Sequence, residues 1–417
     1  MTRALALIDG EHYAPVVRAA LAELPYDVVA AHLLGGTEKL QEGDEYGVPL
    51  VDTLERALEE HRPDLVVDLS DEPVLGPRER FAVASRVLAR GVPYVGADFR
   101  FDPPELAPFP LPSLGIVGTG KRVGKTAITA HAAQLLSRGR EVVVVSMGRG
   151  GPPEPEVADV RPTVDSLLEL AAAGRHAASD YLETAALAGV TTVGCRRCGG
   201  GLAGAVFADN VRAGAERAAA LEPDLVLFDG SGAAFPPIAT RRRILVANAQ
   251  QDAEVVTGYL NAYRHLVSDL VVLTMAEEGS GWEALRDRAA GLAPRVLGVR
   301  LRPRPAEPVD GRRIAYFCAA PEHAHDALAA HLEAEHGAEV VAVSGSLSNR
   351  ARLREELGRV DADVFVVELK AAAIDVVAAA ARERGVKVVL AGSDVVSAPG
   401  EPDLDDELLR LAAEAAG

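Results

Sequence analysis

Residues 114–136 read LGIVGTGKRVGKTAITAHAAQLL, and their reading decides the fold. Leu114–Val117 is a short apolar run of strand type, GTGKRVGKT from Gly118 to Thr126 is a glycine-rich turn, and AITAHAAQLL has the apolar spacing of a helix. A strand, a tight turn and a helix opening on Lys-Thr make a phosphate-binding loop. The turn aims backbone N–H groups at a polyphosphate, and the helix N-terminus adds the positive end of its dipole. Gly118, Thr119, Gly120, Lys121, Arg122, Val123, Gly124, Lys125 and Thr126 form the expected cradle, with Lys125 reaching the outer phosphates and Thr126 holding Mg²⁺. The strict G-x₄-G-K-T spacing would put its first glycine at Thr119, which instead has Gly118 and Gly120 on either side. The chain reads as a binder of a nucleoside triphosphate, with ATP the default because no Asn-Lys-x-Asp guanine signature follows a strand.

At 417 residues, two or three domains are expected. A formal charge of −18 speaks against nucleic acid and anionic membrane as partners, while leaving room for a small anionic, phosphorylated substrate in a locally basic cleft. Met1-Thr-Arg leads straight into a strand, and no long uncharged apolar run follows. Three cysteines cannot staple a chain of this length, so a reducing cytoplasm is the expected compartment. A homodimer stays open as an assembly.

Two proline-rich stretches, Phe101–Pro112 and Arg302–Pro308, are expected to be linkers or surface crossings, since proline at that density does not suit helix interiors or central strands. They divide the chain into 1–108, 113–301 and 309–417. Within each part, short Val/Leu/Ile runs alternate with helical patterns. The runs are Ala4–Ile8, Leu65–Leu69 and Tyr94–Val95 in the first; Ser113–Val117, Glu141–Ser146, Leu225–Phe228, Ile244–Ala247, Leu270–Leu273 and Val296–Val299 in the second; Ile314–Phe317, Val340–Val343, Val364–Val367 and Val386–Leu390 in the third. That alternation predicts parallel βαβ units. The expected fold class is α/β, with a central P-loop NTPase domain of mostly parallel sheet flanked by N- and C-terminal α/β parts. Ligands of such sheets sit at the carboxyl ends of strands.

At those ends the chain offers several candidates. Asp229 caps Leu225–Phe228 and opens Asp-Gly-Ser-Gly, the place for a Mg²⁺-side carboxylate, with Gly232 letting backbone approach a γ-phosphate. Met147-Gly-Arg-Gly-Gly151 surrounds Arg149 with glycines, which suits an anion loop or a plain surface loop. Gly194–Leu202 reads GCRRCGGGL. Its two cysteines cannot close a tetrahedral zinc site, and a thioredoxin-like context is missing, so Cys195 and Cys198 are expected to be reduced thiols in a glycine-rich turn. Arg196 and Arg197 are candidate anion ligands, as is the run Arg241–Arg243, whose alternative is a solvated charge cluster. Asp9, Glu11, His12, Asp71 and Glu72 fall at strand ends of the first part and favour solvation or helix capping over chemistry. Lys370 in Glu368-Leu-Lys370 stays open between the two readings.

In its Gly-Thr-x₃-Val-Gly-Lys-Thr form, the loop resembles that of dethiobiotin synthetase and its relatives. Taken in order, GTGKRVGKT, GRGGPPEPEV, GCRRCGGG followed by Phe207-Ala-Asp-Asn210, DGSG and VELKAAAIDVV resemble the cyclic 2,3-diphosphoglycerate synthetase family over most of the chain. That resemblance implies an ATP-dependent ligase which closes 2,3-diphosphoglycerate into an intramolecular cyclic pyrophosphate and releases ADP and phosphate. Lys121, Lys125, Arg149 and Asp229 are then the catalytic candidates, and Arg149, Arg196 and Arg197 bind the substrate. Thr126 and Asp229 serve the metal. Two other readings stay open: a dethiobiotin-synthetase-like ligase that activates a carboxylate, and a ParA-like nucleotide switch.

Overall fold

Strand after strand in this chain is a short run of Val, Leu, Ile and Ala, and such runs are stable only where helices cover both faces of their sheet. The computed structural model describes residues 1–36, 38–41, 43–370 and 373–417. It places the runs in two main sheets. The smaller, of six strands, is built around parallel β1 (Arg3–Ile8), β2 (Asp27–Leu33) and β3 (Leu65–Asp68).

The larger has thirteen strands. Its central block contains β4 (Ser113–Gly118), β5 (Val142–Gly148), β6 (Thr191–Cys198), β7 (Leu225–Asp229), β8 (Arg242–Asn248) and β9 (Leu270–Thr274). A long β10 (Val296–Pro305) leads to β11 (Arg313–Phe317), β12 (Glu339–Ser344), β13 (Val364–Glu368) and β14 (Lys387–Ser397). The spatial order is β6-β5-β7-β4-β8-β9-β10-β14-β13-β11-β12, with short strands Glu156–Ala158 and Ala208–Asp209 attached to β6. Each apolar run singled out in the sequence falls on an observed strand, with Leu69, Glu141 and Val386 lying one residue outside theirs. The fold is α/β with a large, mostly parallel sheet.

One expectation fails. Arg302–Pro305 is not a linker but the second half of β10, paired antiparallel with β14 from Val299↔Ser397 to Pro305↔Ala391. The prolines are tolerated because they sit on the outward-facing positions. Ala306 N–H donates to the Leu390 carbonyl at 2.8 Å, so the even-numbered amides face β14 and the missing ones at Pro303 and Pro305 face away.

This pairing sets the architecture. The first residues of β10 run parallel to β9, so β11 to β14 run antiparallel to the central block. Gly298 lies beside Leu273, whereas Glu368 aligns with Ala391 and hence with Pro305, about 20 Å of strand further on. The carboxyl ends of the two blocks therefore point at each other across a cleft bridged by β10 and β14.

Helices interlock the blocks. Leu182 and Leu187 of α2 (Asp180–Ala188) pack with Leu369, Ile374 and Leu390 of the C-terminal block. Leu404, Leu408 and Leu411 of the C-terminal helix return to the core formed by Leu114, Ile116 and Ile128. A division at 309 thus cuts an unbroken sheet. The first part docks through Leu5, Leu7 and Val87 against Val117, Phe235 and Tyr263. Among the described residues no helix is long and apolar enough to cross a membrane.

Candidate active site

The glycine-rich loop leaves β4, whose six residues are all buried, and enters α1 (Lys125–Leu136). It is tied down on three sides. Gly118 N–H donates to Gly232 O at 3.1 Å, Thr119 N–H to Val246 O at 3.0 Å, and Thr274 Oγ1 to Val123 O at 2.9 Å. A Cβ at Gly118 would lie 2.9 Å from Gly232 O, so the DGSG turn packs directly on the loop. Gly124 has φ +78° and no room for a side chain, since a Cβ would meet Leu301 Cδ1 at 2.8 Å. The Thr119 hydroxyl is buried with no partner among the described residues. A rigid turn with an unsatisfied buried hydroxyl fits a phosphate cradle.

Behind the loop, Lys125 is buried and ion-paired to Asp229, which is 0 % exposed. Thr129, one turn further along α1, donates its hydroxyl to the same carboxylate oxygen at 2.9 Å. Burial pushes the Asp229 carboxyl up, opposed by the Lys125 charge and by the two hydrogen bonds. Its second oxygen has no partner among the described residues. An acceptor oxygen left over beside the cradle is the donor chemistry that a hard cation takes. Thr126 is half-buried at the start of α1.

The arginines separate. Arg197, at the end of β6, donates through Nη2 to Ser231 O at 3.0 Å and through Nη1 to Gly199 O. A Cβ at Gly232 (φ +59°) would lie 3.9 Å from both Arg197 Nη2 and Lys121 Cγ, so these side chains flank the DGSG turn. Burial lowers the Arg197 pKa, and the nearby positive charge of Arg149 lowers it further. Arg149, exposed after β5, therefore shares this side. Arg196 alternates to the other face of β6: it is exposed and its backbone N–H is held by Asn210 Oδ1 at 2.7 Å. Arg122 (φ +59°) reaches across the cleft, with Nη2 3.4 Å from Ser348 Oγ of the C-terminal block.

Three expectations are corrected here. Cys195 to Cys198 lie on strand β6, not in a turn. Parallel pairing with β5 from Thr191 to Arg196 overrides the glycine and arginine content. Cys195 is buried with its thiol pushed up to about 12 by burial, so it is no thiolate ligand, and Cys198 is exposed. Arg241 to Arg243 are not anion ligands. Arg241 donates to Ala415 O and Pro110 O, Arg242 pairs with Glu414 at 3.1 Å, and Arg243 stacks over Phe235 with its pKa lowered by burial. In the first part, Asp9 is buried rather than solvated, accepting from Glu11 N–H and from Asp71 N–H, so it ties two loops together.

Sequence reasoning missed an acidic cluster facing the cleft. Asp180 opens α2, and its Oδ2 lies 3.3 Å from where a Cβ on Gly148 would be. Its charge is felt at Glu183, Arg197, Asp229 and Lys370. Glu183, one turn on, is buried and its carboxyl is pushed up to about 8 by burial, with Lys370 pulling it back. Lys370 is held well above its ordinary pKa, first by Glu368 at 3.6 Å and then by Glu183. Glu368 is fixed by Tyr316 Oη and Ala319 N–H, both at 3.1 Å. Groups from both blocks thus share one electrostatic cluster.

Comparison with known proteins agrees along the whole chain. Residues 113–286 match the P-loop domain of cyclic 2,3-diphosphoglycerate synthetase, residues 3–102 its N-terminal domain and residues 305–394 its C-terminal domain. The cyclic 2,3-diphosphoglycerate synthetase of Rubrobacter xylanophilus is 52 % identical over 98 % of this chain and 97 % of its own length. That of Thermococcus kodakarensis is 43 % identical, covering 97 % of each. Among solved structures, LpxK from Aquifex aeolicus in complex with ATP aligns over 75 % of this chain and 91 % of that one, at 12 % identity and a TM-score of 0.43.

Proposed function

The chain belongs to the cyclic 2,3-diphosphoglycerate synthetase family, and on that premise we propose that it is an ATP-dependent ligase closing 2,3-diphosphoglycerate into its cyclic pyrophosphate, with release of ADP and phosphate. The observation that carries the reading is the facing of the two blocks. The phosphate loop lies on one wall of the cleft and the Lys370 cluster on the other, with Arg197 and Lys121 flanking the DGSG turn and Arg149 near Arg197.

Joining two phosphates within one molecule requires one of their oxygens to leave. In the balanced route, an oxygen of one substrate phosphate attacks the γ-phosphorus of ATP and ADP departs. The neighbouring substrate phosphate then attacks the phosphorus bearing the new group, a P–O–P bond closes the ring, and inorganic phosphate leaves. Such transfers need in-line positioning and charge neutralisation more than acid–base chemistry. Lys125 would leave Asp229 for the outer phosphates of ATP, while backbone N–H groups from Gly118 to Thr126 cradle the rest. Arg149 and Arg197 would neutralise the substrate phosphates from the central block, with Lys121 beside them, and Arg196 would meet a phosphate at the mouth. Thr126 and Asp229 would hold Mg²⁺, which supplies further charge neutralisation. The division into parts 1–108, 113–301 and 309–417 serves the same reading, with the last two supplying opposite walls.

Phosphorus NMR tests it. With 2,3-diphosphoglycerate and Mg·ATP, two monoester signals should convert to pyrophosphate-type signals of the same molecule, in step with ADP and phosphate. Consumption of ATP with a carboxylic acid, and none with 2,3-diphosphoglycerate, would replace this reading by the carboxylate-activating ligase. Slow ATP hydrolysis indifferent to both would favour a nucleotide switch.

A further inference from the structure

Far along the C-terminal block, a second constellation lies outside the proposed chemistry. His331 and His336 project from α3 (His325–His336), and Asp394 from β14. One ligand atom from each lies within 4.8 Å of the others, and all three residues are partly exposed. The imidazole rings stand edge to face with centroids 5.6 Å apart. Both Nε2 atoms are buried and lack a hydrogen-bond partner among the described residues. Two neighbouring imidazole nitrogens without partners cost free energy unless something accepts or donates between them.

We propose that His331, His336 and Asp394 form a binding site for a divalent cation of the zinc class, with three protein ligands and a fourth position open to water. The ligand chemistry selects the ion: imidazole suits Zn²⁺ and its borderline neighbours, whereas Mg²⁺ prefers oxygen ligands. A tetrahedral ion with bonds of about 2.0 Å spaces its ligands about 3.3 Å apart, so side-chain adjustments of at most about 1.5 Å complete the site. Arg304 Nη1 lies 3.2 Å from Asp394 Oδ1 and occupies one carboxylate oxygen, leaving the other for the ion. The ion would clip α3 to β14, the strand that bridges the cleft together with β10.

The test uses the full chain, in buffer cleared of transition metals and holding excess Mg²⁺ so that oxygen-ligand sites are filled. Titrated Co²⁺ should bind once per chain with the visible bands of a four-coordinate ion, and Zn²⁺ should displace it and raise the Tm. His331→Gln and His336→Gln should each weaken Co²⁺ binding by at least about 100-fold, beyond the loss that follows removal of a group merely supporting a ligand. Their metal-free Tm should stay near that of the parent, which shows that they fold. No stoichiometric Co²⁺ binding by the parent chain, or binding that survives both substitutions, overturns the site.

Discussion

Lys125→Ala should cost the protein stability as well as turnover, and the size of the loss follows from the burial of its partner. Asp229 is 0 % exposed and has two side-chain partners among the described residues, Lys125 and Thr129. Removing the lysine leaves a buried carboxylate with one hydroxyl donor. Breaking a buried ion pair from one side typically costs about 3–5 kcal/mol, because the remaining charge is uncompensated. The carboxyl can escape part of that cost by taking up a proton, as burial already pushes its pKa up. A raised folded-state pKa means that the folded form holds the proton more tightly than the unfolded chain, so the variant should lose stability as pH rises. Urea denaturation of the ligand-free protein should therefore show a deficit of about 3 kcal/mol or more at neutral pH, shrinking toward pH 5. Adding Asp229→Asn to Lys125→Met removes both charges and should recover at least half of the loss without restoring ATP binding by calorimetry. A Lys125→Ala protein within about 0.5 kcal/mol of the parent, the range of ordinary surface substitutions, would refute the claim that the pair is closed in the resting enzyme.

Glu183 gives a second pH test. Its carboxyl titrates at about 8 when folded against 4.5 as a free group, so it contributes stability that is lost as pH rises through that window. Glu183→Gln should then melt above the parent near pH 8.5 and level with it near pH 5; equal melting at both would show the carboxyl to be solvated. For the cysteines, mass spectrometry after brief iodoacetamide treatment of the native protein should find one label, on Cys198, because burial pushes the thiols of Cys195 and Cys318 up to about 12. Labelling of either buried cysteine would contradict the packing.

The phosphate loop and the parallel strands were legible because both are local. Gly118–Thr126 needs only a strand before it and a helix after it, and runs such as Val142–Val145 can be stable only inside a covered sheet. The strand Thr191–Cys198 was hidden because Gly194, Arg196 and Arg197 resemble a turn, and only the β5 edge selects the extended form. The same limit hid β10. Proline excludes a central strand pairing on both sides, but not one whose outward amides are unpaired, and that distinction depends on register with a segment about ninety residues away. Asp180 and Glu183 look like ordinary first-turn acids of a helix, which favour the positive end of its dipole. Their second role appears only once Gly148 and Lys370 are brought beside them.

The antiparallel turn-back at β10 explains why the chain carries two sheet blocks for one reaction. A single parallel sheet offers its ligands one carboxyl edge, and in the central block that edge is taken up by the phosphate loop and the DGSG turn. On that side the positive charge of Arg149 adds to burial in lowering the Arg197 pKa, so further cations crowded there would repel one another. Reversing direction through β10 and β14 points a second carboxyl edge at the first without lengthening any loop. That edge brings Lys370, whose positive charge is secured first by Glu368 rather than by a phosphate. A cation anchored in this way stays charged and in place when the cleft is empty, so its ordering cost falls on folding and not on substrate binding.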